Sequence, residues 1–93
     1  MNSDTEAITT AGWSIDDGRL TRSFVFRDFS QAWAFLTQVA LAAECVAHHP
    51  RITNEWNRVT LSLVTHDAGN TVTANDHALA AIINGLIASQ PDL

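Results

Sequence analysis

Residues 30–50 read SQAWAFLTQVALAAECVAHHP, and this stretch decides how the rest of the chain is organised. Ala32, Leu36, Val39, Ala43 and Val46 recur in 4-3-4-3 steps, the spacing that aligns side chains along one face of an α-helix. Trp33 and Phe35 either widen that stripe or serve a second contact. Asp28 and Ser30 are both suitable N-caps, and Asp28-Phe29-Ser30-Gln31 has the spacing of a capping box. The far end is sharper. Pro50 disfavours helical dihedrals at His49, so the helix must stop near Ala47 or His48. Cys45, the single cysteine, is expected in the helix core beside Ala43, Val46 and Ala47, and alone it cannot form an internal disulfide.

On the N-terminal side of this helix, Trp13-Ser14-Ile15-Asp16 alternates apolar and polar. Asp17-Gly18 follows, a strong hairpin signal, and then Leu20-Thr21-Arg22-Ser23-Phe24-Val25-Phe26. Leu20, Phe24 and Phe26 share a face on which Arg22 is the exception. Residues 1 to about 11 carry no periodicity and are expected to be a disordered leader, with residues 12–93 forming a single domain. On the C-terminal side, Ile52, Asn54 and Trp56 alternate, and Val59-Thr60-Leu61-Ser62-Leu63-Val64-Thr65 alternates more strictly, with Val59, Leu61 and Leu63 facing a core. A turn near Asn57-Arg58 or one long bent strand both fit. Asp67-Ala68-Gly69-Asn70 is a turn cluster. A second helix follows, with Thr73 as N-cap and Asp76 three residues on; Leu79, Ile82, Ile83, Leu86 and Ile87 form its apolar stripe. The order is strand-strand-helix-strand-strand-helix. It predicts an α+β, two-layer sandwich, a mostly antiparallel four-stranded sheet with two helices.

The chain has 93 residues, 46% of them hydrophobic and only 16% charged. A single small core buries a modest share of its surface, so a surface this lean in charge suits an oligomer that hides some faces. Five arginines, no lysine and ten acids give a net charge of −5, which opposes phosphate neutralisation and excludes direct nucleic-acid binding. The first six residues offer neither a basic nor an apolar segment, and no apolar run reaches the ~20 residues of a membrane span, so a cytoplasmic protein is expected.

Candidate chemistry concentrates on histidines at element ends. His48 and His49 close the first helix and His66 closes a strand, positions from which side chains are free to act. Glu44 precedes His48 by four residues, within helical reach, where a carboxylate can orient an imidazole. Asp76 joins such a site only if the fold brings it near the histidines. His77 is read as a solvated helix residue, and Trp56 as core more readily than site. A metal has weak support, since no HExxH or paired CxxC is present. No glycine-framed serine or exposed thiol suggests nucleophilic catalysis.

Taken together, Glu44-Cys45-Val46-Ala47-His48-His49-Pro50, Trp56, His66 and Asp76 resemble the signature of the pterin-4a-carbinolamine dehydratase family: an acid, three residues, His-His-Pro, an aromatic, a further histidine and an Asp. The flanks Phe26-Arg27-Asp28-Phe29, Ala32-Trp33, Asn57-Arg58-Val59 and Thr65-His66-Asp67 agree, and the resemblance spans residues 12 to 88. It implies both helices on one sheet face and self-association as a homodimer or homotetramer. It also implies a hydro-lyase that converts 4a-hydroxytetrahydropterin to quinonoid dihydropterin in tetrahydropterin recycling, without metal or other cofactor. An aromatic amino acid hydroxylase would share the pathway. His48 and His66 would be acid and base, and His49 would bind or orient the pterin. Glu44, Trp56 and Asp76 would bind substrate or position the imidazoles. The alternative on the same fold is a non-catalytic interaction module, a dimerisation cofactor or assembly chaperone. The chain departs from the family at Arg51-Ile52, where an acid is frequent, at Trp56, where Tyr or Phe is common, and at Asn70, which replaces a usual glycine.

Overall fold

The computed structural model describes residues 10–90, so the expected leader lies outside the described residues up to position 9. Strands β1 (Ser14–Asp16) and β2 (Arg19–Val25) form the first hairpin. Its turn, Asp17-Gly18, has both residues at positive φ, 52° and 74°, as a two-residue turn matched to strand twist requires. Helix α1 (Phe29–Val46) follows, then β3 (Arg51–Glu55), β4 (Arg58–Leu63) and helix α2 (Ala74–Ala88). All strand pairs are antiparallel, in the order β1-β2-β4-β3. The β3–β4 question is settled as a tight hairpin. Glu55 pairs with Arg58, and Trp56-Asn57 make the turn, one position earlier than the sequence suggested, with Trp56 at φ 51°. Trp56 is 66% exposed and is therefore not a core residue.

Alternation along β2 and β4 sends Leu20, Phe24, Val59, Leu61 and Leu63 to one sheet face. There they meet Ala32, Phe35, Leu36 and Val39 of α1 and Leu79, Ala80 and Ile83 of α2 in one core. Both helices thus cover the same face, and the two-layer α+β sandwich is confirmed. The other face is mainly polar, with a Ser23–Thr60 hydroxyl pair 2.9 Å apart and Arg19 donating to the Ser62 hydroxyl at 2.8 Å.

Arg22 explains its exception. It lies on the core face opposite Leu61, its guanidinium 4.7 Å above the Phe24 ring, and it donates to Asn84 Oδ1 at 2.6 Å. The same oxygen accepts from the Trp13 indole at 2.8 Å, while the Asn84 amide donates to the Ala11 carbonyl at 2.8 Å. His77, read from sequence as solvated, is instead half-buried with Nδ1 2.7 Å from the Thr10 hydroxyl. The segment at 10–11, placed in the leader by sequence, is therefore fastened to α2.

Both helix starts carry side-chain caps. Asp28 accepts from Gln31 N–H at 2.8 Å, and Gln31 reaches back to Arg27 N–H at 2.6 Å. Thr73 and Asp76 form a full capping box. At its end, α1 turns through Ala47 in the left-handed region (φ 53°). Ala47 N–H donates to Glu44 O and His48 N–H to Ala43 O, which is the Schellman pattern. Cys45 is exposed, correcting the expected core position: it lies about 200° around the helix from Ala43, away from the buried stripe. Among the described residues no helix is long and apolar enough to cross a membrane.

Candidate active site

Three chain segments converge where the helical layer meets the end of β4. His48 arrives from the turn after α1, His66 from a single 3₁₀ turn (His66–Ala68) after β4, and Asp76 from the first turn of α2. His48, His49 and His66 line one cavity of about 400 Å³, together with Ala47, Val64, Thr65, Asp67 and Asn75. A second hollow of about 190 Å³, walled by Val46, Ala78, Leu79 and Ile82, shares Ala47, His48 and Asn75 with it.

Each imidazole has a different partner. His48 Nε2–H donates to Asp76 Oδ1 at 2.6 Å. Asp76 has no exposed surface. Its other oxygen accepts from the Thr65 hydroxyl and from Thr73 N–H, both at 2.8 Å. Because the one Thr65 hydroxyl proton is directed at the carboxylate, the 2.6 Å contact between Thr65 and Thr73 hydroxyls has Thr73 as donor. Burial alone would raise the Asp76 carboxyl. The bonds from His48, Thr73 and Thr65, with the imidazole's charge, outweigh it and hold the group below its usual range. Asp76 is thus an ionised, enclosed anchor behind His48 and Thr65, both of which line the cavity.

His49 Nε2–H donates to Glu44 Oε1 at 2.6 Å in an exposed pair. The sequence paired Glu44 with His48. The helix ends before His48, the left-handed turn at Ala47 redirects the chain, and the i,i+4 geometry passes to neither ring as drawn. His66 is exposed, its Nδ1 2.6 Å from Asn70 Oδ1. Trp56 is not among the residues lining either hollow; it sits on the β3–β4 turn. Thr65, Asp67, Asn70 and Asn75 were missed by sequence reading. The only available signal was that Thr65 and Asp67 flank His66 and that Asn70 follows it by four. Among the described residues, no three His, Cys, Asp or Glu side chains are grouped to hold a metal ion.

A combination of a buried carboxylate–imidazole pair with a second, differently partnered imidazole suits proton donation and proton uptake on one ligand. Known proteins resemble the chain over most of its length. The family model for pterin 4 alpha carbinolamine dehydratase matches residues 2–86. A Rhizorhabdus wittichii protein named "Putative pterin-4-alpha-carbinolamine dehydratase" is 53% identical over 76 residues, covering 80% of this chain and 77% of its own. A Mesorhizobium japonicum protein of the same name is 52% identical over 86 residues, covering 85% and 87%. The crystal structure described as a transcriptional coactivator/pterin dehydratase from Brucella melitensis superposes with a TM-score of 0.79 at 41% identity, over 92% of this chain and 95% of that one.

Proposed function

Since the chain belongs to the pterin 4 alpha carbinolamine dehydratase family, we propose that it dehydrates a 4a-hydroxytetrahydropterin by histidine acid–base catalysis. The observation that carries this reading is the single cavity walled by His48, His49 and His66, with a buried carboxylate behind the first. In the proposed reaction the C4a–O bond breaks as His48 supplies a proton, so the hydroxyl leaves as water. The adjacent ring N–H yields its proton to His66 as the C=N bond forms. The Asp76 carboxylate holds His48 through Nε2 and leaves Nδ1 to face the substrate in the donor role, whereas His66, bonded to the Asn70 amide, takes the acceptor role. His49, held by Glu44, orients the pterin at the cavity mouth. The proton taken up and the proton given balance, and one water is released.

The test is absorbance-monitored dehydration of a synthetic 4a-hydroxytetrahydropterin. Acceleration by the purified protein is expected, with His48→Ala and His66→Ala each slowing it by roughly 10²–10⁴. Unchanged rates in both variants would refute the assignment. The second reading, an interaction module, is favoured by the exposed Phe29–Trp33 pair, each residue 51% exposed with the rings edge to face, and by the Brucella structure's description as a transcriptional coactivator/pterin dehydratase. Folded protein with no activity would select it.

A further inference from the structure

The loop between β4 and α2 is closed at its base. Thr65 N–H donates to Thr71 O at 2.8 Å, and Asn70 N–H donates back to Thr65 O at 3.1 Å. The Thr71 hydroxyl adds a bond to Ala68 O at 2.8 Å. Within this frame Gly69 and Asn70 both take positive φ, 73° and 60°. Asparagine is one of the few side-chain-bearing residues that tolerate this region. The closed backbone sets the Asn70 amide against the ring of His66, Oδ1 to Nδ1 at 2.6 Å. An amide oxygen accepts and cannot donate, so the ring nitrogen facing it carries hydrogen. In a neutral imidazole that leaves the lone pair on Nε2.

We infer that Asn70 is a positioning residue that holds His66 in its Nδ1–H form, so that Nε2 is the atom that receives the substrate's ring proton. The inference rests on the base role proposed above for His66. It distinguishes the two chemically active rings: one is locked by a carboxylate, the other by an amide that fixes the tautomer without adding charge. His48, His49 and Asp67 share the cavity with His66. Their charges act on whether the ring is ionised, whereas the Asn70 bond acts on which nitrogen keeps the proton once it is neutral.

A spectrum of the neutral ring separates those effects. Two-bond ¹⁵N–¹H correlation of the histidine-labelled full chain, at pH about 9 where imidazole is ordinarily neutral, should show His66 protonated on Nδ1. Asn70→Gly removes the acceptor while suiting the φ of 60°. It should move the ring toward the Nε2–H form favoured by an unconstrained histidine side chain and lower kcat about three- to tenfold, in proportion to the competent fraction lost, with KM little changed. Asn70→Asp, again an acceptor toward Nδ1, should restore the Nδ1–H signature. A wild-type ring protonated on Nε2, or a glycine variant with wild-type kcat, overturns the inference. Absence of dehydration by the wild-type protein would count against the proposed function, and the spectrum would still decide the tautomer.

Discussion

Replacing Asp76 with Asn changes one oxygen to an NH2 group at a fully buried position. In one orientation the new NH2 faces the Thr73 N–H and the Thr65 hydroxyl, placing donor against donor. In the other, the amide oxygen keeps those two partners and the NH2 faces His48 Nε2, which must then accept, so the imidazole inverts its tautomer. The second arrangement preserves the fold. It exchanges three charge-assisted bonds for neutral ones, each weaker by about 1 kcal/mol, with partial offset because the carboxylate no longer needs to be desolvated. A net loss of about 2 kcal/mol follows, a Tm drop of roughly 8–16 °C for a domain this small. The effect on rate is larger, because His48 loses both its tautomer and the carboxylate that orients its ring. A loss of about 10² or more in kcat is expected, by analogy with the Asp-to-Asn change in the serine protease triad. The pH dependence has a definite sign. A carboxyl lowered in the folded state stabilises it fully above the ordinary value of about 3.8, and that contribution fades as pH falls through the lowered value. The stability gap between wild type and Asp76→Asn should therefore narrow on acidification from pH 6 to 2. Equal melting temperatures at pH 7, or a gap that stays constant into acid, would refute the reasoning.

Other outcomes follow from single features. Ala47→Gly removes the left-handed strain at the end of α1 and should raise urea-unfolding stability by about 0.5–1 kcal/mol. Asn84→Ala strands the Trp13 indole N–H and one Arg22 donor; calorimetry should show a loss of about 2–3 kcal/mol, and a change below half of that would mean water substitutes for the amide. Cys45, exposed on α1, should titrate as one equivalent with an aromatic disulfide reagent in the native protein, whereas a buried thiol would need denaturant.

Much of the architecture was legible because backbone rules dominate it. Asp17-Gly18 can hardly be anything but a hairpin turn, Pro50 bounds the helix whatever surrounds it, and the alternation through Val59, Leu61 and Leu63 states which side of the sheet is covered. The misreadings came from local cues that the three-dimensional arrangement overrides. Glu44 and His48 are four apart, but Ala47 leaves the helix between them, so the carboxylate meets His49 instead. Cys45 has apolar neighbours in sequence yet points away from the buried stripe. Trp56 is large and apolar, which favours burial, but the register that pairs Glu55 with Arg58 leaves it on a two-residue turn. Asp76 was readable as a helix cap and its meeting with His48 was not, because 28 residues separate them. Thr65 and Asn70 stood out only by their closeness to His66 in sequence, being neutral side chains whose importance lies in the partners the fold supplies.

The Asp76 carboxylate collects hydrogen bonds from the chain after α1, from the chain just after β4 and from the residue that caps α2. The start of α2 cannot move away without taking Asp76 from His48, so displacement of this helix and loss of the His48 anchor are one event. Amide exchange at the start of that helix and thermal inactivation should consequently follow one cooperative opening rather than two successive ones.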